Sequence, residues 1–364
     1  MKIALVYDRV NKIGGAERVL EVLREIWPQA PLYTAVYNPQ TALWAADFKV
    51  IPSFLQNFPF AKTHHEFYAL LMPLAFESFN FDEFDVVVSV TSAEAKGIIT
   101  KPRTLHLCYC LTPTRYLWSG TWDYSLPFFL RPLLGKMRLW DQVASVRPDL
   151  YLAISKNVAA RIRKYYRKEV EVIYPPIDTQ KWEMGNGKGK IGDYFLIVSR
   201  LVSYKRVDIA IEAFNKLQLP LKIIGTGSEL GRLKNIAGKN IEFLGQLTDR
   251  ETLGYYQKCQ ALIFPGEEDF GLVPLEAAAC GKPVIAYRKG GAQETIIEGK
   301  TGEFFSPQTP GALAEKIKNF KPERYQPTDC RSQAEKFDIN IFKEKFKVFV
   351  EREWKNYLKN ISIS

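Results

Sequence analysis

The sequence predicts an α/β protein with two doubly wound, Rossmann-like parallel-sheet domains. Short uninterrupted apolar segments alternate with helical periodicity, which is typical of parallel strands covered by helices on both faces. The alternation is interrupted by a stretch rich in Gly and Lys over residues 183–192 and then resumes. The length of 364 residues also favours two domains of ~100–200 residues each.

The first half begins with an apolar strand over residues 3–7, a Gly-Gly turn and an amphipathic helix over residues 16–26. Ser155 can cap a helix over residues 156–166, because its side-chain oxygen can accept a hydrogen bond from a free backbone N–H. The other strands predicted in this half lie over residues 85–90, 104–110 and 149–154, and in the segment EVIYPPID that two prolines close.

The second half alternates strand and helix regularly. Strands are predicted over residues 194–199, 221–224, 241–244, 261–264 and 283–286. Helices are predicted over residues 207–217, 229–237, 250–258 and 274–279. A Lys-rich amphipathic helix over residues 340–359 follows. Because ligands of doubly wound sheets bind at the carboxyl ends of the strands, the two domains are expected to bind ligands in a cleft between those ends.

Composition excludes several classes of protein. Hydrophobic residues make up 46% of the chain and charged residues 25%, which excludes a disordered or fibrous protein. No apolar run reaches the ~18 residues of a membrane span, and Asp8 and Arg9 interrupt the first apolar segment before it could serve as a signal peptide. The five cysteines include no CxxC pair, so we expect reduced thiols, no zinc site and a cytoplasmic protein.

Positive charge is concentrated in one segment. The net charge is +10, and the stretch between Leu130 and Val170 contains ten Lys or Arg but only three Asp or Glu. Such an excess indicates an anionic partner. Residues 116–140 also carry many aromatic side chains, which favours contact with an anionic membrane surface, although an ordinary packed helix would show the same pattern. Nucleic acid is not expected, because no known binding module is present.

Phosphate-binding features follow the first strand of each predicted domain. Gly14 and Gly15 open the first helix, where backbone N–H groups can approach a phosphate, although a tight turn explains them equally well. Arg200 and Lys205 follow the strand over residues 194–199, where two cations could hold a diphosphate. A solvated pair of cations on a loop is the alternative.

The segment EEDFGLVPLEAAACG is more specific. Glu268 lies in the loop after a strand and Glu276 on the next helix, so both could face one crevice. Backbone N–H groups near Gly271 and Leu272 point out of the helix N-terminus and could bind an anion. Two carboxylates beside two cations suit a sugar nucleotide, since the acids can bind hydroxyls while the cations neutralise the diphosphate. The alternative is that both glutamates are ordinary surface residues. The closely spaced Gly and Pro between them, which indicate a tight turn into a helix, disfavour that alternative.

The remaining candidates are weaker. The loop RKGGAQE over residues 288–294 is Gly-rich and is interpreted as structural. The only histidines are His64, His65 and His106, which do not form a metal-binding spacing. His106 lies in a predicted strand and is interpreted as a core residue.

The second half resembles the donor-binding half of glycosyltransferase family 4, a retaining family with the GT-B fold of two Rossmann-like domains. The resemblance rests on SRLVSYKRVD, IGTGSEL, IEFLGQL and EEDFGLVPLEAAACGKPVIAYRKGGAQETI, over residues 194–302. In the first half, GGAERVLEVL, DVVVSVTSAEAKGI and CYCLTPTRYLW are similar to the branch of bacterial O-antigen and capsule mannosyltransferases.

The resemblance implies roles for individual residues. Arg200 and Lys205 would hold the donor diphosphate, Glu268 would lie under the transferred sugar, and Glu276 would bind the ribose hydroxyls. The other donor-side residues would be Gly15, Gly225, Gly227, Gln246, Leu247, Phe270, Gly271 and Leu272. The acceptor side would include Gly14, Thr112, Arg115 and Tyr116. Leu111 departs from the family pattern, because relatives often have a histidine there.

The resemblance also implies domains and a reaction. An acceptor-binding domain would span residues 1–178, with the helix over 340–364 packed back on it, and a donor-binding domain would span 179–339. The expected activity is metal-independent, cofactor-free transfer of a hexose with retained configuration, with mannose from GDP-mannose as the first choice and a UDP-sugar as the alternative. The acceptor would be a glycan or a lipid-linked glycan in cell-envelope polysaccharide or lipopolysaccharide synthesis, at or near the inner face of the membrane. Two other functions stay open. One is a sugar-nucleotide epimerase, which the scarcity of histidine disfavours. The other is a non-catalytic partner subunit, which only the residue Leu111 suggests.

Overall fold

The computed structural model describes residues 1–118, 131–185 and 192–361. The chain divides into two compact units, one of Met1–Pro176 with Phe342–Ser364 and one of Ile177–Ile341. Each unit contains one parallel sheet with helices on its faces. The predicted α/β fold class with two Rossmann-like parallel sheets, as in the GT-B fold, is therefore confirmed.

The first unit has a seven-stranded parallel sheet of order β3-β2-β1-β4-β5-β6-β7. Its strands are β1 (Ile3–Tyr7), β2 (Leu32–Thr34), β3 (Val50–Pro52), β4 (Val86–Thr91), β5 (Leu105–Cys110), β6 (Leu150–Ala153) and β7 (Glu171–Val172). Its helices are α1 (Gly15–Ile26), α2 (Met72–Glu77), α3 (Arg131–Ala144), α4 (Lys156–Tyr166) and most of α12 (Ile339–Ile361). Leu5 of β1 pairs with Leu32 on one side and Val88 on the other. Every residue of β1, β4 and β5 is buried, as expected of central strands covered on both faces.

Two helices of this unit follow directly from their sequences. Ser155 caps α4 by accepting a hydrogen bond from the N–H of Val158, as predicted. Helix α12 continues from the second unit, and its aromatic side chains Phe342 and Phe346 pack edge-on against Tyr109 of β5. The apolar face of α12 thus completes the core of the first unit.

The second unit has a six-stranded parallel sheet of order β10-β9-β8-β11-β12-β13. Its strands are β8 (Phe195–Val198), β9 (Leu221–Ile224), β10 (Ile241–Gly245), β11 (Leu262–Phe264), β12 (Val284–Tyr287) and β13 (Gly302–Phe305). Its helices are α5 (Val207–Leu217), α6 (Leu230–Ile236), α7 (Asp249–Lys258), α8 (Leu272–Ala279), α9 (Ala292–Thr295), α10 (Pro310–Lys318) and α11 (Pro327–Glu335). The sequence order reverses between β8 and β11, which makes the carboxyl ends of these strands the switch point of the sheet.

The structure adds elements that the sequence did not reveal. Strands β2 and β3 have three residues each, too few to show a period, and β13 begins at a glycine. Helices α10 and α11 begin with prolines at their first turns. No helix within the described parts of the chain is both long enough and apolar enough to cross a membrane.

Candidate functional site

A charge pair lies at the switch point of the second sheet. Lys205 follows β8 in a short 3₁₀ turn, and Glu268 follows β11; their side chains form an ion pair. The two side chains keep 13% and 20% of their surface exposed, so both can reach a ligand. A cation and a carboxylate side by side can bind a ligand that carries an anionic group next to hydroxyls.

Glycines without room for a side chain hold the Glu268 loop in place. A Cβ at Gly291 would lie 2.2 Å from the Cα of Phe270, and one at Gly290 would lie 2.3 Å from the carbonyl oxygen of Glu268. The N–H of Gly291 donates to that same carbonyl at 2.9 Å. On the other side, a Cβ at Gly266 would lie 2.9 Å from the carbonyl oxygen of Lys205. The segment RKGGAQE is structural, as interpreted, and it shapes this site.

The turn before α8 presents backbone donors beside the same loop. Gly271 has φ +86°, a conformation that favours glycine, and α8 begins at Leu272. No side chain caps this helix, while Phe270 is buried against Phe337. No side chain therefore caps the first N–H groups of α8, where the sequence predicts an anion beside Phe270, Gly271 and Leu272.

Glu276 has a different environment from Glu268. It is only 4% exposed, and its Oε2 accepts a hydrogen bond of 2.9 Å from the hydroxyl of Tyr256. Tyr256 in turn packs edge-on against Trp182. The structure therefore buries Glu276 in the unit rather than exposing it with Glu268 in an open crevice, since the helix turns it towards α7. No pattern in the sequence pointed to Tyr256, which lies twenty residues away.

Four other donor-side candidates follow strands β9 and β10 of the same sheet. A Cβ at Gly225 would lie 1.9 Å from the carbonyl of Ser199, and one at Gly227 would lie 2.2 Å from that of Leu201. Both glycines therefore permit the loop after β9 to pack on the loop after β8. Gln246 and Leu247 follow β10, where Gln246 is exposed.

Arg200 is exposed, and its guanidinium donates to the hydroxyl of Tyr204 at 2.7 Å. Tyr204 also lies beneath the ammonium group of Lys205, 5.4 Å from the ring centroid. The aromatic ring therefore lies beside both predicted diphosphate-binding cations, a contribution that the sequence pattern did not single out.

In the first unit, Gly14 and Gly15 lie exposed at the start of α1. A Cβ at Gly14 would lie 3.0 Å from Oε2 of Glu17, a tight but not impossible contact. Glu17 is buried and accepts a hydrogen bond of 2.6 Å from the hydroxyl of Tyr7. The φ of Gly14 is −171°, an extended conformation that any residue can adopt, and neither Gly14 nor Gly15 is among the glycines with positive φ. The structure therefore does not show the tight glycine turn that was the alternative to a phosphate-binding role.

The acceptor-side candidates follow β5. Thr112 is buried and accepts a hydrogen bond from Arg161 at 3.1 Å. Tyr116 donates to Glu94, whose other oxygen accepts from Arg9 at 2.6 Å. Arg115 is half-buried. Thr112 and Tyr116 are thus held by side chains from other elements, which the sequence did not reveal.

His106 is fully buried, and its Nε2 lies 2.8 Å from the hydroxyl of Ser89. Burial and the nearby charge of Arg147 lower the pKa of His106 to about 3, so the ring is neutral at pH 7. The interpretation as a core histidine is confirmed.

The predicted membrane segment falls partly on residues 119–130, which lie outside the described residues. At its ends, Trp118 donates to Asp141 at 2.7 Å and Trp140 donates to Glu77 at 3.1 Å. These two aromatic side chains are half-buried and form hydrogen bonds within the unit, which is the pattern of the alternative interpretation, an ordinary packed helix. Leu139 and Val143 of α3 are exposed.

Comparison with known proteins finds similarity in sequence mainly in the second unit. Residues 178–337, which lie within the second unit, match the family model described as Glycosyl transferases group 1. An uncharacterized glycosyltransferase of Methanocaldococcus jannaschii is 32% identical over 187 residues, which is 50% of this chain and 52% of the relative.

Two further relatives have named activities. A D-rhamnosyltransferase of Pseudomonas aeruginosa is 29% identical over 206 residues, which is 52% of each chain. The O-antigen chain mannosyltransferase C of Escherichia coli is 28% identical over 183 residues, which is 46% of this chain and 49% of the relative. The matches span about half the length of these curated relatives.

Solved structures extend the similarity of fold to nearly the whole chain. HepE of Anabaena in complex with UDP-glucose aligns with a TM-score of 0.73 and 18% identity, over 97% of this chain and 100% of its own. The sucrose-phosphate synthase of Thermosynechococcus elongatus aligns with a TM-score of 0.77 and 15% identity, over 98% and 100%. At such identities the likeness is one of fold.

Proposed function

We propose that this protein is a glycosyltransferase that moves a hexose from a sugar nucleotide to a glycan or lipid-linked glycan acceptor. The observation that carries the proposal is the Lys205–Glu268 pair at the switch point of a group 1 glycosyl transferase domain. Lys205 with Arg200 is suited to a diphosphate, and Glu268 to the hydroxyls of the attached sugar.

In the proposed reaction the bond between the sugar C1 and the diphosphate oxygen breaks, and a bond from an acceptor hydroxyl to C1 forms on the same face. The departing phosphate takes the acceptor proton. Arg200, Lys205 and the N–H groups at the start of α8 stabilise the charge that develops on the leaving group. Configuration is thus retained, and neither a metal nor a cofactor is required.

Glu276 is proposed to bind the ribose of the nucleotide from its buried position, with Tyr256 fixing the orientation of the carboxylate. Mannose from GDP-mannose is the preferred donor, because the O-antigen mannosyltransferase is among the relatives. UDP-sugars are the alternative, since the similar HepE structure holds UDP-glucose. Envelope polysaccharide synthesis is the proposed pathway.

The test is thermal unfolding with GDP, UDP, ADP, GDP-mannose, UDP-glucose and UDP-N-acetylglucosamine. A ligand present at 100 times its Kd stabilises the folded protein by about 2.7 kcal/mol. We expect one nucleotide family to raise the Tm of the wild type and of Arg324→Ala, a matched loss of an exposed arginine in the same unit. Arg200→Ala should lose most of that shift.

Transfer itself is tested with the nucleotide that binds. Glu268→Ala should retain nucleotide binding and lose transfer, EDTA should leave the rate unchanged, and the product's anomeric configuration, read by NMR, should match that of the donor. A wild-type protein whose Tm responds to none of these nucleotides would contradict the proposal and favour a non-catalytic partner subunit.

A peripheral location at an anionic membrane surface is proposed from the exposed Leu139 and Val143 on α3, beside the exposed Lys136. Co-sedimentation with vesicles containing phosphatidylglycerol should fall in the double variant Leu139→Ser with Val143→Ser. The variant Leu43→Ser, which removes an exposed leucine elsewhere in the unit, should bind like the wild type.

A further inference from the structure

Trp182 contacts the Glu276 carboxylate through one intervening side chain. Trp182 lies in the segment between β7 and β8 and is 2% exposed. Its ring packs edge-on against the ring of Tyr256, with 5.4 Å between the ring centroids and an angle of 89° between the ring planes. The hydroxyl of Tyr256 then donates to Oε2 of Glu276. Because Tyr256 is fully buried and interiors are close-packed, the Trp182 ring limits where that hydroxyl can lie.

Arg331 of α11 joins the backbone of Trp182 to the C-terminal end of α8, the helix that carries Glu276. Its Nη1 donates to the carbonyl oxygen of Trp182 at 2.7 Å and to that of Ala279 at 2.9 Å. Ala279 is the last residue of α8, and the terminal carbonyls of a helix need partners from outside it. The helix dipole also favours a cation at this end. One guanidinium nitrogen therefore fixes Trp182 relative to the helix that carries Glu276.

Residues that follow Arg331 contact the opposite end of α8 and the end of α9. Gln333 is 7% exposed, and its side-chain amide donates to the carbonyl oxygen of Thr295, the last residue of α9, at 3.1 Å. Phe337 packs against Phe270, in the loop before α8, with 5.7 Å between the ring centroids. Helix α11 and Phe337 thus contact both ends of α8. The N-terminal end of α8 therefore keeps its support when the contact of Arg331 at the C-terminal end is removed.

Glu276 is the polar side chain of α8 that depends on the Arg331 contact. It is the fifth residue of a helix of eight residues and lies about one turn before Ala279. A binding group must be held within about 0.5 Å of its productive position by the residues around it, because hydrogen bonds weaken steeply when they are misaligned. A small shift of the C-terminal half of α8, or of the Tyr256 ring, would therefore weaken a hydrogen bond from a ligand to Glu276.

We propose that Trp182 and Arg331 are positioning residues of the nucleotide site. They align the Glu276 carboxylate with the ribose, Trp182 through the ring of Tyr256 and Arg331 through the C-terminal end of α8. This inference rests on the proposed function, in which Glu276 binds the ribose. It identifies what makes the site prefer a nucleotide whose ribose carries both hydroxyls.

The probes are GDP and UDP and their 2′,3′-dideoxy forms, titrated into the full chain by isothermal titration calorimetry. For the nucleotide that binds, we expect the wild type to prefer the ribose form by about tenfold or more, as for one hydrogen bond to a charged group. Arg331→Met removes both contacts of Nη1 and should reduce this preference to about threefold or less. Its affinity for the dideoxy form should stay within about twofold of the wild type, because the diphosphate-binding residues share no partner with Arg331. Trp182→Phe, which shortens the ring against Tyr256, should reduce the preference in the same way.

Two further variants serve as control and rescue. Glu335 accepts a hydrogen bond from Nε of Arg331 at 2.9 Å and is 51% exposed, so Glu335→Gln breaks the ion pair and leaves the carbonyl contacts of Nη1 in place. It should keep the preference of the wild type. Arg331→Lys restores a cationic donor and should recover part of the preference, with circular dichroism and Tm used to verify that each variant is folded.

Three results would overturn the inference. The first is an equal preference for the ribose form in Arg331→Met and in the wild type. The second is a loss of affinity for both forms by the same factor, which would show that Arg331 serves only the fold. The third is a Glu335→Gln protein that loses the preference as fully as Arg331→Met, because the ion pair and not the carbonyl contacts would then be responsible.

The wild type separates failure of this inference from failure of the proposed function. If it prefers the ribose form and Arg331→Met keeps that preference, only the positioning roles are wrong. If it binds both forms equally, Glu276 does not bind the ribose and the inference is overturned, while the transferase proposal keeps its support from the diphosphate side. If it binds no nucleotide in either form, both proposals are wrong.

Discussion

At the carboxyl end of the first sheet, ionised groups are buried and compensated by the protein itself. The ion pair between Lys96 and Asp141 keeps only 2% and 1% of its side-chain surface exposed. At the carboxyl end of the second sheet, Lys205 and Glu268 form a similar pair that stays partly exposed, and Arg200 lies at the surface. An ion pair of the same chemistry is thus buried in the first unit, where it can only hold the fold, and is partly exposed in the second unit, where a ligand can reach it.

The buried Asp141 carboxylate is the centre of a hydrogen-bond network. Besides Lys96 at 2.6 Å, it accepts hydrogen bonds from Thr114, Trp118 and Tyr166 at 2.7 to 2.9 Å. These donors come from the segment after β5 and from α4. The network therefore determines where that segment lies, and with it the position of Tyr116.

The largest expected effect is on this network. Lys96→Met removes the cation and leaves Asp141 as an uncompensated buried charge, which typically costs about 3–5 kcal/mol of folding free energy. Burial alone would lower the pKa of Lys96, but the adjacent Asp141 more than reverses this, so the lysine is charged in the folded state. Urea unfolding monitored by circular dichroism measures the loss.

A loss below about 1 kcal/mol, the size expected for an exposed pair, would show that the buried Lys96–Asp141 pair does not stabilise the first unit more than a surface pair would. The double variant Lys96→Met with Asp141→Leu is the control. Since it removes both charges, it should recover part of the lost stability.

The next effect is the response to pH. All three histidines of the chain lie in the first unit. The folded pKa of His106, about 3, lies below its unfolded value of ~6.5, so the unfolded chain binds the proton first as the pH falls. The stability that neutral His106 contributes is complete above pH 6.5 and is lost towards pH 3, at up to about 1.4 kcal/mol per pH unit.

The measurement is urea unfolding at pH 7.0, 5.5 and 4.5, for the wild type and for His106→Gln. The slope of stability against pH should become shallower in the variant, whatever its stability at pH 7. Parallel slopes would show that His106 does not govern the acid sensitivity of the first unit.

The sequence alone predicted part of this arrangement. It predicted Lys205 and Glu268 at strand ends of one sheet, because each follows a clear apolar strand. It also predicted β1 and α4, whose apolar and capping patterns are local. The contacts that decide the environment of each charge are not local: Tyr256 reaches Glu276 over 20 residues, and Lys96 reaches Asp141 over 45.

For the same reason the pattern overstated the similarity of Glu268 and Glu276. Both glutamates belong to the segment EEDFGLVPLEAAACG. Glu268 lies in a loop at the strand end, whereas Glu276 lies in a helix and contacts Tyr256. Spacing predicts which elements carry the two carboxylates. Only packing shows that one of them is buried.

A smaller effect is expected from the glycine that supports the Glu268 loop. Gly291→Ala places a Cβ 2.2 Å from the backbone of Phe270, so the loop must move, which we expect to cost about 1–3 kcal/mol. Because that loop carries Glu268, the nucleotide-dependent Tm shift should shrink as well. Gly311→Ala is the matched control, since its Cβ would meet nothing within 4 Å. If both variants bind nucleotide like the wild type, the loop does not need this support.

The smallest effect on stability completes the comparison between the two ion pairs. Lys205→Met breaks a partly exposed pair, so unfolding by urea should show a loss of at most about 1 kcal/mol, against the larger loss for Lys96→Met. The same variant should nevertheless lose most of its nucleotide-dependent Tm shift, because Lys205 is proposed to neutralise the diphosphate. Lys222→Met, which breaks the surface pair with Glu242 in the same sheet, provides the control and should keep the shift. A Lys205→Met protein that is strongly destabilised would show that the second pair also serves the fold. One that binds nucleotide normally would show that Lys205 does not neutralise the diphosphate, and in either case the difference proposed between the two ion pairs would not hold.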